Sequence, residues 1–176
     1  MSDSLVTLTP LQAQDRERFI RDLQAAFEVA FVEEYGPQDK DVIPRRDIEH
    51  SLDRAGAEAF RIAAGGRMVG GVVVVIDAKT QHNSLDLLFI DPGFHSRGIG
   101  LSVWRAIEET YPETRIWETV TPYFEKRNIH FYVNKCGFQI VEFFNSRHRE
   151  QQDNGREMTE QDCYFRFEKD MSCHQA

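Results

Sequence analysis

Residues 91–100, DPGFHSRGIG, place Arg97 beside two glycines, Gly98 and Gly100, after the apolar stretch LDLLFI and before the amphipathic stretch LSVWRAIEETYP. A helix that starts here leaves its first N–H groups without intrahelical acceptors and carries partial positive charge at that end, so it attracts anions. Glycine lets the backbone approach such an anion closely, Arg97 adds a full charge, and His95 offers a ring N–H. The chemistry in view is phosphate binding. Two acids stand on apolar strand faces: Glu118 between Ile116 and Val120, and Asp86 two residues before Leu88. A carboxylate among apolar neighbours has its pKa raised, as a base working near neutrality requires. Tyr132 is either a proton donor from an apolar helix face or a core aromatic beside Phe131. Cys136, at a helix end beside Gly137, reads as a small buried hydrophobe. His82 and His130 are isolated, without metal-ligand spacing, so no metal is expected.

The elements that must position these groups alternate between strand and helix. Residues 4–8 read as a first strand. Phe19, Ile20, Leu23, Ala26, Phe27, Ala30 and Phe31 recur at helical spacing until Gly36-Pro37 stops them. Thr9-Pro10-Leu11-Gln12 has the form of a capping box with Pro at the first helical position, the alternative being a helix that begins later. A second helix is expected over 45–55, from Ile48 and Leu52. Strands 58–64 and 67–77 join through Gly65-Gly66, a two-residue hairpin signal, and Gly70-Gly71 implies a bulge or a close backbone approach. A strand over 85–90 leads into the DPGFHSRGIG turn, and Pro112 ends the helix that follows. A strand over 115–120, a helix over 125–136 closed by Gly137, and strands over 138–144 and 164–169 complete a mixed α/β sheet.

The 176 residues fit one domain over 1–176, with a mobile loop at about 145–161 and a short tail at 170–176. A net charge of −8 argues against a nucleic-acid surface and is compatible with small cationic substrates. The longest apolar run, 72–76, is too short to cross a membrane, and the start, MSDSLVTL, lacks a secretory pattern. Three unpaired cysteines point to a reducing cytoplasm. The P-loop and early dinucleotide-binding patterns are absent from the sequence.

Ile90-Asp91-Pro92 followed by His95-Ser96-Arg97-Gly98-Ile99-Gly100 resembles the acyl-CoA pyrophosphate loop of the GNAT superfamily of N-acetyltransferases. Asn128-Ile129-His130-Phe131-Tyr132 and then Gly137-Phe138 resemble its second motif, and the order of elements matches from the first strand through Phe144. The resemblance implies a GNAT fold: a mixed, mostly antiparallel sheet of six to seven strands with about four helices. It implies acetyl-CoA as co-substrate, its pyrophosphate held by His95, Ser96, Arg97, Gly98, Ile99, Gly100 and Leu101. Leu88, Phe89 and Ile90 would bond the pantetheine arm where their strand splays from the one containing Trp117, and Asn128 would add a CoA contact. Two departures stand out. His95 replaces the usual Gln or Arg, and five residues rather than four separate Tyr132 from Gly137, which puts Val133 at the strict Tyr position. A π-bulge or a loosened last turn would absorb the extra residue.

The implied reaction is direct transfer of an acetyl group to a primary amine of a small molecule or peptide. Glu118 or Asp86 serves as base and Tyr132 as acid. Glu33, Glu34 and Tyr35, with Asp39 and Asp41 beyond them, form an acidic-aromatic run that either attracts the cationic amine or is a solvated helix end. Relatives imply a homodimer, with Phe143-Phe144 near its interface. The alternative is a non-catalytic acyl-CoA-binding sensor or regulatory module of the same fold.

Overall fold

Seven strands pair into one sheet: β1 (Val6–Pro10), β2 (Ala57–Ala64), β3 (Arg67–Val75), β4 (His82–Ile90), β5 (Ile116–Pro122), β6 (Gln139–Phe144) and β7 (Tyr164–Asp170), in the order β1-β2-β3-β4-β5-β7-β6. The computed structural model describes residues 6–95, 97–151 and 157–174. Every pairing is antiparallel except β4–β5, which is parallel. Among the described residues four α-helices flank the sheet: α1 (Arg16–Tyr35), α2 (Arg45–Asp53), α3 (Ile99–Thr110) and α4 (Lys126–His130), the last continued by a π-helical turn, Phe131–Lys135.

The unbroken valine run of β3 reflects burial on both faces. Val72 and Val74 pack with Val103, Trp104, Ile107, Trp117 and Phe167 on the α3 side. Val73 packs with Phe19, Ile20, Leu23, Ile48 and Leu87 under α1 and α2. α1 starts at Arg16, the later of the two starts left open by the capping pattern, because Pro10 pairs with Phe60 at the end of β1. β1 is an edge strand, where a residue lacking an N–H is tolerated. The stop at Gly36 is as expected: its φ is +80° and its N–H reaches the Val32 carbonyl at 2.9 Å. Gly65 and Gly66, with φ of +57° and +77°, make the β2–β3 hairpin.

Two bulges shape the centre of the sheet. Gly70 faces Ile62 and Met68 faces Ala63, so Val69 is the extra residue in β3. Leu85 faces Val74 and Leu87 faces Val73, so Asp86 is the extra residue in β4. The second bulge sends Leu85 to the α3 side and Leu87 to the α1 side. β4 and β5 pair only through His82, Asn83 and Ser84 opposite Ile116, Trp117 and Glu118, and then part. Buried Asn83 fixes the paired end, accepting from the Asp77 N–H at 2.8 Å and donating to the Thr114 hydroxyl at 2.7 Å. At the apex of the fork the Thr119 hydroxyl donates to the Leu85 carbonyl at 2.8 Å.

The extra residue between Tyr132 and Gly137 is taken up by the π turn: the Cys136 N–H bonds the Phe131 carbonyl, five residues back, at 3.0 Å. Phe138 donates to the Tyr132 carbonyl at 2.9 Å, so β6 begins at Gln139 rather than at 138.

Gly70 and Gly71 meet the close-approach condition. A Cβ on Gly70 would lie 2.1 Å from the Phe89 carbonyl oxygen, and one on Gly71 would lie 2.2 Å from the Phe19 ring. Gly70→Ala is therefore expected to cost about 3 kcal/mol, because backbone cannot yield as a side chain can. Urea denaturation measures this, and an unchanged midpoint would show that β3 and β4 separate freely here.

Candidate functional site

The turn into α3 is built from its own backbone. The Asp91 carboxylate accepts from the Gly93 N–H at 2.8 Å, and Arg97 lies over the Phe94 ring, 5.2 Å from its centroid. Gly98 begins the helix with φ +72°, and its carbonyl takes the first intrahelical bond, from the Ser102 N–H at 3.1 Å. The N–H groups of Ile99, Gly100 and Leu101 precede that bond and have no acceptor within the helix, and no described side chain caps them. Ser96, expected among the phosphate contacts, lies outside the described residues.

The glycines of this turn have reasons other than closeness to a ligand. A Cβ on Gly98 would meet nothing within 4 Å, so its positive φ is what requires glycine. A Cβ on Gly100 would press on the Phe131 ring at 3.3 Å, so that glycine seats α3 against the π turn. His95 also differs from the donor expected of it. Its Nδ1 meets the Arg127 guanidinium, so Nε2 carries the proton and donates to the Ile90 carbonyl at 2.8 Å. The ring ties the turn to the end of β4 and to α4.

Beyond Ser84 the edge of β4 that faces β5 has lost its ladder partner, and Leu88, Phe89 and Ile90 lie along it. Leu88 and Ile90 pack toward the α3 side, and Phe89 meets Phe19 edge-on at 5.3 Å. Tyr132 stands near the apex. It is 5% exposed, surrounded by Phe131, Phe138 and Phe167, and hydrogen-bonded with Thr119. Burial raises its pKa well above that of a free phenol, so it stays protonated at physiological pH. Val133 is a partly buried core neighbour, and Asn128 sits half-buried on α4.

The two expected carboxylates flank the fork, but neither has the apolar surroundings their strand neighbours imply. Glu118 occupies the last paired position on β5 and contacts His82 at 3.1 Å and Arg166 at 3.2 Å. Arg166 also binds Glu142 at 3.0 Å and Glu168 at 2.6 Å. The face of β5 and β7 opposite α3 is therefore a polar network, joining residues far apart in sequence. His82, isolated along the chain, is brought within a ligand's reach of Glu118 and Glu168, with the Arg166 cation already between the two acids. Asp86, the bulge residue, binds Arg54 at 2.7 Å and accepts from the Ser84 hydroxyl at 2.7 Å, its side chain 10% exposed.

A third carboxylate was not singled out by sequence. Glu125 reads there as an ordinary helix start, and its one signal is Phe124 beside it. In the fold it is 6% exposed. Burial pushes its pKa from 4.5 up to about 7, with Arg127 opposing the shift and Glu33 adding to it. The last turn of α1 closes over this position. Tyr35 and Phe31 meet Phe124 at 5.6 and 5.3 Å, and Glu34 pairs with Lys126 at 3.5 Å. Glu33, Glu34 and Tyr35 are thus brought to one place with Glu125.

A raised carboxyl pKa means that the folded chain holds the proton more tightly than the unfolded chain. Its stabilising contribution is complete below about pH 4.5 and is lost as pH rises through about 7. Glu125→Gln is accordingly expected to be more stable than the parent by about 3 kcal/mol at pH 8, with the difference vanishing near pH 4. Urea midpoints at the two pH values test this, and a difference independent of pH would contradict it.

The model of the Acetyltransferase (GNAT) family matches residues 18–138. Over 173 residues the chain is 49% identical to YrkN, an uncharacterized protein of Bacillus subtilis (strain 168), covering 94% of each chain. It superposes on an acetyltransferase from Thermus thermophilus with a TM-score of 0.65 at 18% identity, covering 94% of this chain and 97% of that one. It also superposes on a spermidine N-acetyltransferase from Vibrio cholerae, solved in complex with CoA and spermine, with a TM-score of 0.64 at 17% identity, covering 97% and 98%. At such identities these two likenesses speak to fold. With the family's match running from α1 to the threshold of β6, over a sheet forked between β4 and β5, the chain belongs to the GNAT family of acetyltransferases.

Proposed function

We propose that the chain transfers the acetyl group of acetyl-CoA to a primary amine of a small molecule or peptide. The observation that carries this reading is the fork between β4 and β5, which opens beside the uncapped start of α3. Ile99, Gly100 and Leu101 offer their N–H groups, and Arg97 its charge, to the pyrophosphate. Ser96, Gly98 and His95 belong to the same loop, His95 by holding its shape. The free edge of Leu88–Ile90 is the surface available to the pantetheine amides, and Asn128 is proposed as a further contact. The Vibrio cholerae relative, solved with CoA and a polyamine, supports this choice of donor and acceptor class.

An aliphatic amine arrives protonated and must lose a proton before it attacks the thioester. Asp86 and Glu118 approach the fork from opposite strands. Glu118, with its side chain 30% exposed against 10% for Asp86, is the better placed to take that proton through water. As the carbon–sulfur bond breaks, the departing thiolate takes a proton from Tyr132, which burial keeps protonated. The free thiols Cys136, Cys163 and Cys173 support a reducing, cytoplasmic setting. The β6 edge, with Ile140, Val141 and Phe143 exposed, is the surface proposed for a homodimer.

A second reading, acyl-CoA binding without turnover, is favoured by one observation: Asp86 and Glu118 are each already paired with an arginine. The two readings separate experimentally. Acetyl-CoA is expected to raise the melting temperature, since it binds only the folded chain. A panel of polyamines, amino acids, aminoglycosides and peptide N-termini is then assayed for release of free CoA, with at least one class expected to turn over. Tyr132→Phe is expected to lower kcat about 100-fold while leaving acetyl-CoA affinity intact. Binding without release from any amine would favour the second reading, and no thermal shift would remove both.

A further inference from the structure

Three segments meet past the open end of β5. α1 contributes Phe31, Glu33 and Tyr35, and the β5–α4 connection contributes Phe124 and Glu125. The β6–β7 connection is drawn in by the Tyr123 N–H, which donates to the Cys163 carbonyl at 2.8 Å, and the charge of Glu160 reaches Tyr35. Phe31, Tyr35 and Phe124 are mutually in contact, with ring centroids 5.1 to 5.6 Å apart. Glu125 is set into this aromatic and acidic cluster, where Glu33 and Arg127 act on its charge with opposite signs. Glu125 is 6% exposed, and its side chain has no hydrogen bond or ion pair among the described residues. The two basic residues that follow it in the chain have partners of their own, Arg127 in His95 and Lys126 in Glu34.

A buried carboxylate without a partner is costly, and replacing it with a neutral side chain is the simple way to remove that cost. Its setting selects for a cation: aromatic faces attract positive charge, and Glu33 and Glu160 exclude an anion. The charge of Glu125 acts on the Tyr132 phenol, so the two groups lie near one another. We propose that Glu125 anchors an ammonium group of the acceptor, making the substrate class a cationic amine on an apolar stem. This rests on the transferase reading above and adds the residue that selects the acceptor.

The test uses the intact chain saturated with CoA, so that no turnover occurs, and hexylammonium as probe with 1-hexanol as its neutral counterpart. Calorimetry is expected to show the ammonium binding about tenfold or more tightly than the alcohol. Glu125→Gln should remove that preference while leaving acetyl-CoA affinity unchanged, and Glu33→Gln, an exposed change that folding tolerates, should weaken the ammonium about twofold. Equal binding of the two probes, no binding of either, or undiminished ammonium binding by Glu125→Gln would overturn the proposal. If Glu125→Gln does not fold, the wild-type comparison and Glu33→Gln decide. The thermal shift with acetyl-CoA is read separately, so loss of the donor site is distinguishable from loss of the acceptor anchor.

Discussion

A short parallel ladder governs this molecule. β4 and β5 share three residue pairs and then separate, and a parallel ladder that stops in mid-sheet leaves backbone groups on both strands without partners. The separation is held from both sides. β7 pairs with β5 along its whole length, Ile116 to Pro122, and β3 holds β4 as far as Ile90. The Thr119 hydroxyl closes the apex by satisfying the Leu85 carbonyl, and the bulge at Asp86 turns β4 immediately beyond it. The opening is thus a rigid feature of the sheet, suited to a linear ligand rich in amides.

The elements around the fork are set by close contacts that glycine permits. Gly70 and Gly71 let β3 lie tightly on β4 and let the Phe19 ring of α1 rest on the strand. Gly100 does the same for α3 against the π turn carrying Tyr132. His95 and Arg127 then latch the α3 turn to the start of α4. The helix start, the strand edge and the buried phenol are fixed relative to one another before any ligand arrives, which is how a fold makes binding geometry inexpensive in entropy.

Charge divides the acids of the site into two kinds. Asp86 and Glu118 lie in arginine pairs that hold them in place, whereas Glu125 is buried beside aromatic rings and further acids without a partner. On the proposal above, a cation from outside completes the arrangement around Glu125, which has no ion pair among the described residues. The position lies at the meeting of three segments, the kind of surface on which relatives of one fold come to differ in acceptor while sharing a donor.

Much was legible along the chain because the signals were local. The valine run of β3, the helical stripe of α1, the Gly65-Gly66 hairpin and the strand–turn–helix at Asp91–Gly100 each carry their pattern within a few residues, and these assign the sheet, the helices and the family. The extra residue between Tyr132 and Gly137 was likewise visible as a count, and the π turn is its physical outcome. What lay beyond reach depends on neighbours distant in sequence. Arg54 stands 32 residues from Asp86, and Arg166 stands 48 from Glu118, so the apolar strand neighbours of these acids said nothing about the guanidiniums beside them. Glu125 reads along the chain only as the first residue of a helix, and its burial comes from the packing of distant segments around it. Periodicity reports which face of an element is buried; only the packing of elements decides which charge meets which, because electrostatic energy depends on distance in space and not on distance along the chain.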